Sequence, residues 1–157
     1  MKSYIKKGIG FGLTSGVITT LGMLIGLSAI SESKVIVVGG IISIAIADAA
    51  SDALGIHIAE ESHEESKLKH IWTATLSTFI SKFVITSSFI LPVFFFELKT
   101  AVIISILWGF SLLTVFSYKI AKDRNENPVI SIFEHLSIAS FVLIIIHITG
   151  DFIKKIQ

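Results

Sequence analysis

The sequence predicts an all-α membrane protein, a polytopic bundle of five transmembrane helices with the N-terminus in the cytoplasm. The 157 residues are 52% hydrophobic and only 16% are Asp, Glu, Lys or Arg, and these charges cluster between apolar runs. A soluble domain of this length needs far more surface charge. No segment shows the period-two alternation of a membrane barrel, so helices are the backbone structure that lipid permits.

Five apolar segments are long enough to cross ~30 Å of hydrocarbon, which takes ~20 helical residues. The predicted spans cover residues 8–30, 35–59, 71–96, 101–120 and 130–153. Their connections are short, and the longest is an acidic cytoplasmic segment at 60–70. Pro128 suits the first turn of the last helix, with Asn125 or Asn127 as its N-cap. We therefore expect residues 1–157 to form a single transmembrane domain.

Basic residues predict the orientation, because cytoplasmic loops of membrane proteins carry an excess of Lys and Arg. One side would carry Lys2, Lys6, Lys7, Lys67, Lys69, Lys119, Lys122 and Arg124, and the other Lys34, Lys99, Lys154 and Lys155. The richer side includes the N-terminus. Tyr4, Trp72 and Tyr118 fall at the same ends of their spans, as an interfacial aromatic belt requires. We expect an integral protein of a prokaryotic plasma membrane.

Composition excludes several functions. The formal net charge of +1 gives no basic face for nucleic acid. The absence of cysteine excludes disulfides, thiolate metal sites and cysteine nucleophiles. No nucleophile–base constellation or zinc motif of the His-Glu-x-x-His type is present. We therefore expect neither an enzyme nor a tightly bound cofactor.

Small residues recur at helical spacing in the first two spans. Gly8, Gly12 and Gly16 are four residues apart in the first span. The second span carries two stripes, one of Ser43, Ala47, Ser51 and Gly55 and the other of Ala45, Ala49 and Ala53. Such stripes let helices approach closely in lipid. They are consistent with packing inside one chain and equally with a homodimer interface around a pathway.

Charged residues inside the spans point more directly to function, because each costs a few kcal/mol at mid-membrane depth. Asp48 and Asp52 lie one turn apart in the second span, Lys82 lies in the third, and Glu134 lies in the fifth. One interpretation is an Asp48–Lys82 ion pair that fixes helix packing. The other is that Asp52 and Glu134 offer oxygen ligands to a passing cation while Asp48 or Lys82 tunes their charge. Two carboxylates resist ionising together in this medium, so a proton or metal ion should accompany them.

Further candidate ligands follow at the cytoplasmic end of the second span. On a continued helix, His57, Glu60, Glu61 and Glu64 project within about a third of its circumference. Imidazole and carboxylates without sulfur suit Fe²⁺, Mn²⁺, Zn²⁺ or Mg²⁺. The alternative is a solvated acidic loop.

A second pair of candidates lies near the far end of the last span. His147 and Asp151 are four residues apart there, a spacing typical of a proton relay but also of ordinary interfacial packing.

These residues resemble the vacuolar iron transporter family, which includes nodulin-21-like proteins. Residues 12–15, Gly-Leu-Thr-Ser, open a glycine-rich first span, and residues 46–55, Ile-Ala-Asp-Ala-Ala-Ser-Asp-Ala-Leu-Gly, are similar to the family's second-span signature. The resemblance implies a five-helix subunit that dimerises and exports Fe²⁺ or Mn²⁺ from the cytosol, in exchange for protons, along a path between the first two helices of both subunits. Asp52 stands where that signature has Met, which favours harder cations.

The sequence thus leads to two hypotheses. The first is a homodimeric divalent-metal transporter in which Asp48 and Asp52 line the path and His57, Glu60, Glu61 and Glu64 collect ions at its cytoplasmic entrance. The second is a non-transporting membrane interaction or structural protein whose buried charge network only fixes helix packing.

Overall fold

The computed structural model describes residues 3–63 and 67–156, and the described residues form helices and no strand. The helices are α1 (Ser3–Ile30), α2 (Lys34–Glu61), α3 (Leu68–Ser88), α4 (Ile90–Phe95), α5 (Leu98–Asp123) and α6 (Pro128–Lys154). Helices α3 and α4 follow one another as a single span, so the described residues contain five segments long and apolar enough to cross a membrane. The predicted class, an all-α bundle of five transmembrane helices, is confirmed.

The third span is interrupted, which the sequence prediction of one continuous segment at 71–96 did not include. Helix α3 ends at Ser88 and α4 begins at Ile90, with Phe89 between them. Pro92 causes the break, since a proline lacks the N–H that would bond to the carbonyl four residues earlier and its ring clashes with that carbonyl. The carbonyl affected is that of Ser88, the last residue of α3.

Local capping signals mark the boundary between α5 and α6. The Asn127 side chain accepts a hydrogen bond from the Val129 N–H, and Pro128 occupies the first turn of α6. Asn125 serves the end of α5 instead: it has a φ of 57°, and the Asn125 and Glu126 N–H groups bond back to carbonyls of the last turn of α5. This is a Schellman-type ending, in which the left-handed residue satisfies the last helical carbonyls. Of the two candidate caps, Asn127 is therefore the N-cap.

Helix α1 lies at the centre of the bundle. It packs against α2 and α3 on one side and against α5 and α6 on the other, and α3 also packs extensively against α2. Side chains of α1 form much of the apolar core, and its fully buried members include Val17, Leu21 and Leu24. The central helix therefore carries the small residues, because four neighbours must approach it closely.

The glycines of α1 account for two of these close approaches. A Cβ at Gly8 would lie 2.5 Å from the Ala74 carbonyl oxygen of α3, and one at Gly16 would lie 3.3 Å from Thr86 Oγ1. Farther along, a Cβ at Gly22 would lie 2.6 Å from Ile146 of α6. The glycine stripe of α1 is therefore used within one chain.

The two stripes of α2 have different environments. Ala45, Ala49 and Ala53 are buried against the rest of the chain. The other stripe, Ser43, Ala47, Ser51 and Gly55, is exposed on the outside of the bundle. A Cβ at Gly39 or Gly55 would meet nothing within 4 Å. We call residues 39, 43, 47, 51 and 55 the outer stripe of α2.

Candidate functional site

Lys82 is fully buried in the second half of α3 and reaches two aspartates of α2. Its Nζ lies 2.5 Å from Asp48 Oδ2 and 2.5 Å from Asp52 Oδ2, and it donates a hydrogen bond to Ser15 Oγ of α1 at 2.9 Å. These four residues are the Lys82 cluster. It combines the predicted Asp48–Lys82 pair with Asp52, so one ammonium group is shared by two carboxylates.

Helix geometry explains why these residues meet. At 1.5 Å per residue, Ser15, Asp48 and Lys82 lie ~18–21 Å from the N-terminal end of the bundle, while Asp52 is ~14 Å from it. A helical side chain leans toward the N-terminus of its own helix. Lys82 therefore extends back along α3 and spans the turn that separates Asp48 from Asp52.

The stem of Lys82 passes a small residue of α1. A Cβ at Gly16 would lie 3.4 Å from Lys82 Cγ, so a larger side chain there would displace the lysine. One turn farther along, Thr20 Oγ1 donates to the Gly16 carbonyl and lies 3.1 Å from Thr86 Oγ1 of α3. The α1–α3 contact thus carries hydroxyl groups that satisfy one another around the charged side chain, as buried polar groups require.

The cluster carries unequal charges. Counted formally, two carboxylates and one ammonium leave a charge of −1, and no other cation pairs with either aspartate among the described residues. Lys82 has no exposed side-chain surface, whereas the exposed fraction is 32% for Asp48 and 19% for Asp52. Asp48 Oδ2 faces the ammonium without the alignment of a hydrogen bond. Both aspartates are therefore partly exposed at the edge of α2 next to its outer stripe, whereas the lysine is enclosed.

Glu134 is not part of this cluster. It lies on the exposed side of α6 and pairs with no described residue. The structure therefore does not bring Asp52 and Glu134 together as the two oxygen ligands that were expected. The neighbouring His135 packs inward, where its Nδ1 lies 2.7 Å from Ser117 Oγ of α5.

The candidate ligands at the end of α2 are also divided. His57 Nδ1 lies 3.0 Å from Thr75 Oγ1, and its ring packs edge-on against Trp72 at 4.8 Å. Glu60 is buried and accepts a hydrogen bond from Lys7 at 2.5 Å. Glu61 is exposed, and Glu64 lies outside the described residues. The described part of the chain contains no group of three or more His, Cys, Asp or Glu side chains arranged to hold a metal ion.

His147 and Asp151 lie far along α6, at the end of the bundle opposite the N-terminus. Their Nε2 and Oδ2 atoms are 3.7 Å apart, and both side chains are more than half exposed. They line a cleft between α1, α5 and α6 and do not contact the Lys82 cluster.

Ser15 is the residue of the cluster that sequence reasoning missed as a participant. A serine in a glycine-rich span has many uses, and nothing in its own neighbourhood marks it as a partner of Lys82. A usable signal was its depth, since it shares a level with Asp48 and Lys82. The contact that brings Ser15 and Lys82 together joins residues that are 67 positions apart in the sequence.

Comparison with known proteins adds no family assignment: no family model matches the chain, and no curated protein matches it. The resemblance to the vacuolar iron transporter family therefore rests on the quoted residues of the first two spans.

Proposed function

We propose that this integral membrane protein is a divalent cation transporter of the Fe²⁺ or Mn²⁺ type that works as a homodimer. The observation that carries the proposal is that two carboxylates share one buried ammonium, a formal charge of −1, beside an outer stripe of small residues that no described residue covers. A net charge is costly at this depth in lipid, and an open stripe of small residues is typical of a helix–helix interface.

Two copies joined across their outer stripes would cover the small residues and bring the charged clusters together. A two-fold axis between the α2 helices would place both Asp48–Asp52 pairs at one interface. The combined formal charge would be −2, which one divalent cation neutralises. Carboxylate oxygens are suitable ligands for such an ion. A single chain lacks a metal-ligand group among its described residues, so the second copy would complete the site.

The resemblance supplies the remaining parts of the proposal. It implies export from the cytosol in exchange for protons, across the membrane of a prokaryotic cell. The basic residues Lys6 and Lys7, which lie at the N-terminal end of the bundle and pair with Asp123 and Glu60, agree with a cytoplasmic N-terminus. In this arrangement His57, Glu60, Glu61 and Glu64 would lie at the cytoplasmic entrance.

The test is uptake of Mn²⁺ by proteoliposomes loaded with a metal-sensitive dye. The wild-type protein should transport Mn²⁺, and Asp52→Asn should abolish the flux because the cluster becomes formally neutral. Glu134→Gln is the matched control: it removes one intramembrane carboxylate that faces outward from α6, so its flux should equal that of wild type. Equal flux through Asp52→Asn would defeat the assignment of the site.

A second function is favoured by one specific observation, the complete burial of Lys82 between helices α1, α2 and α3. Here the cluster would serve only to fix these helices in a membrane protein that interacts with partners and transports nothing. This function predicts no Mn²⁺ flux in wild type and loss of folding when Asp48 or Lys82 is neutralised. Flux measured together with the melting temperature of each variant separates the two functions.

A further inference from the structure

A large cleft opens at the end of the bundle opposite the N-terminus. Its volume is about 1390 Å³, and its walls come from the last turns of α1, the first half of α5 and the second half of α6. Its floor is apolar and includes Ile106, Phe110 and Leu143. Near the other end of the bundle, Ser117 of α5 contacts His135 of α6, and neither residue lines the cleft. This region is remote from the Lys82 cluster.

The depth of the cleft matches one leaflet of a bilayer. Along α5 it extends from Leu98 to Phe110, which is ~18 Å of helix. Half of the ~30 Å hydrocarbon layer is ~15 Å. A gap of this length, open at the membrane surface and apolar below, fits the acyl chains of one lipid from the nearer leaflet.

The rim of the cleft is charged. Three lysines surround the opening from three different helices, Lys34 of α2, Lys99 of α5 and Lys154 of α6, and none forms an ion pair with a described residue. Glu32, Glu97 and Asp151 share the same rim, so its formal charges balance. Lysine ammonium groups are phosphate ligands, and carboxylates accept hydrogen bonds from a primary amine.

We propose that this cleft binds one zwitterionic glycerophospholipid, of the phosphatidylethanolamine class, per subunit. The acyl chains fill the space between α1, α5 and α6, the phosphate lies among Lys34, Lys99 and Lys154, and the headgroup amine faces Glu32 and Glu97. Rim charges of both signs favour this headgroup over an anionic one. The site is separate from the proposed transport path, since α2 contributes only its first residue, Lys34, to the cleft and no residue of the Lys82 cluster or of the outer stripe lines it.

The test uses phosphatidylethanolamine with a diazirine in one acyl chain, reconstituted with the full-length protein in phosphatidylethanolamine–phosphatidylglycerol vesicles. After irradiation, peptide mapping should find the label concentrated on residues 102–110 and 140–147. A label spread evenly over the lipid-facing sides of all helices would overturn the proposal. So would crosslinks showing a second protein copy in the cleft. This measurement needs no variant and is unaffected by folding defects.

A matched pair of substitutions adds a second readout. Val102→Trp fills the cleft, whereas Val84→Trp places the same side chain on an exposed position of α3. If the tryptophan of Val102→Trp displaces only two methylenes of the lipid from the cleft, lipid retention should fall about tenfold. Retention is measured by native mass spectrometry in mild detergent, and Val84→Trp should leave it unchanged.

The charged rim is tested with a second pair. Lys99→Glu should also lower lipid retention, and Lys119→Glu at the opposite end of the bundle should not. Equal retention in Val102→Trp and Val84→Trp, or a preference for phosphatidylglycerol, would contradict the proposal.

Discussion

At the scale of single residues, Lys82 is the most constrained side chain in the protein. It is fully buried, it is surrounded by partners from two other helices, and its charge is the only one that offsets the two aspartates among the described residues. Breaking a buried ion pair by removing one partner is costly because the other charge stays behind. Lysine at this position is therefore a structural requirement, independent of the proposed transport.

Replacing Lys82 with methionine keeps much of the volume and removes the ammonium. We expect Lys82→Met to lower the free energy of unfolding by about 3–5 kcal/mol, the usual cost of an uncompensated buried charge. The measurement is thermal unfolding in detergent, followed by the loss of monodisperse protein on size exclusion.

The double variant Lys82→Met/Asp52→Asn returns the formal charge of the cluster to −1. It should therefore be more stable than Lys82→Met alone, which is the non-additive behaviour expected of residues in direct contact. Lys119→Met, at an exposed position of α5, is the control and should leave stability unchanged. Additive losses in the double variant would show that charge compensation is not what holds Lys82.

At the scale of elements, the contact between α1 and α3 is the most extensive helix–helix contact in the bundle. Its closest points are Gly8 and Gly12, which lie directly against the backbone of α3. Ser81 contacts the Gly8 carbonyl beside these points, and two turns farther along Thr20 contacts Thr86. Close backbone approach and side-chain hydrogen bonds together replace the hydrophobic drive that is missing between helices in lipid.

Glycine-to-alanine substitutions test this contact directly. In Gly8→Ala the new Cβ would lie 2.5 Å from the Ala74 carbonyl oxygen, so α1 and α3 must separate, and we expect a loss of about 1–3 kcal/mol from overpacking. In Gly55→Ala the new Cβ meets nothing within 4 Å, and stability should be unchanged or slightly higher because alanine favours helix. The readout is the melting temperature in detergent. Equal melting temperatures for the two variants would contradict the packing described for α1.

At the scale of the whole molecule, the small residues of α1 and those of α2 differ in exposure. The small residues of α1 are covered by α3 and α6, whereas the outer stripe of α2 is bare and borders the partly exposed Asp48 and Asp52. The opposite side of α1 holds the cleft between α5 and α6. In the proposed homodimer the second copy would therefore approach from α2.

Self-association through α2 can be tested with a matched pair of exposed serines. Ser51→Leu places a bulky side chain in the middle of the outer stripe, and Ser137→Leu makes the same change on an exposed part of α6. We expect Ser51→Leu to reduce energy transfer between labelled copies in liposomes and Ser137→Leu to leave it at the wild-type value, because close approach needs small residues.

Because the chain contains no cysteine, a disulfide-crosslinking check has no background. Cysteines introduced singly at positions 47 or 55 should crosslink two copies on mild oxidation. Crosslinking from position 137 in place of the outer stripe would exclude α2 as the interface.

The fold class could be predicted from the sequence because lipid leaves the backbone few choices. Five long apolar segments must be helices in lipid, and the breaks between them carry the charges and caps, such as Asn127 with Pro128, that begin and end helices locally. The intramembrane residues Asp48, Asp52 and Lys82 were recognisable for the same reason, since each charge at that depth requires a partner. Both conclusions follow from the cost of exposing polar groups to hydrocarbon.

Only the tertiary structure decided which partners these residues take. It placed Ser15 and Lys82 together, left Glu134 outside, separated Glu60 from Glu61, and assigned one small-residue stripe of α2 to the inside and the other to the outside. The sequence by itself determined that the chain forms five membrane-spanning helices and that charges lie within them. Which faces meet depends on contacts between helices distant along the chain, and because lipid is as apolar as most of these faces, hydropathy carries no record of that choice.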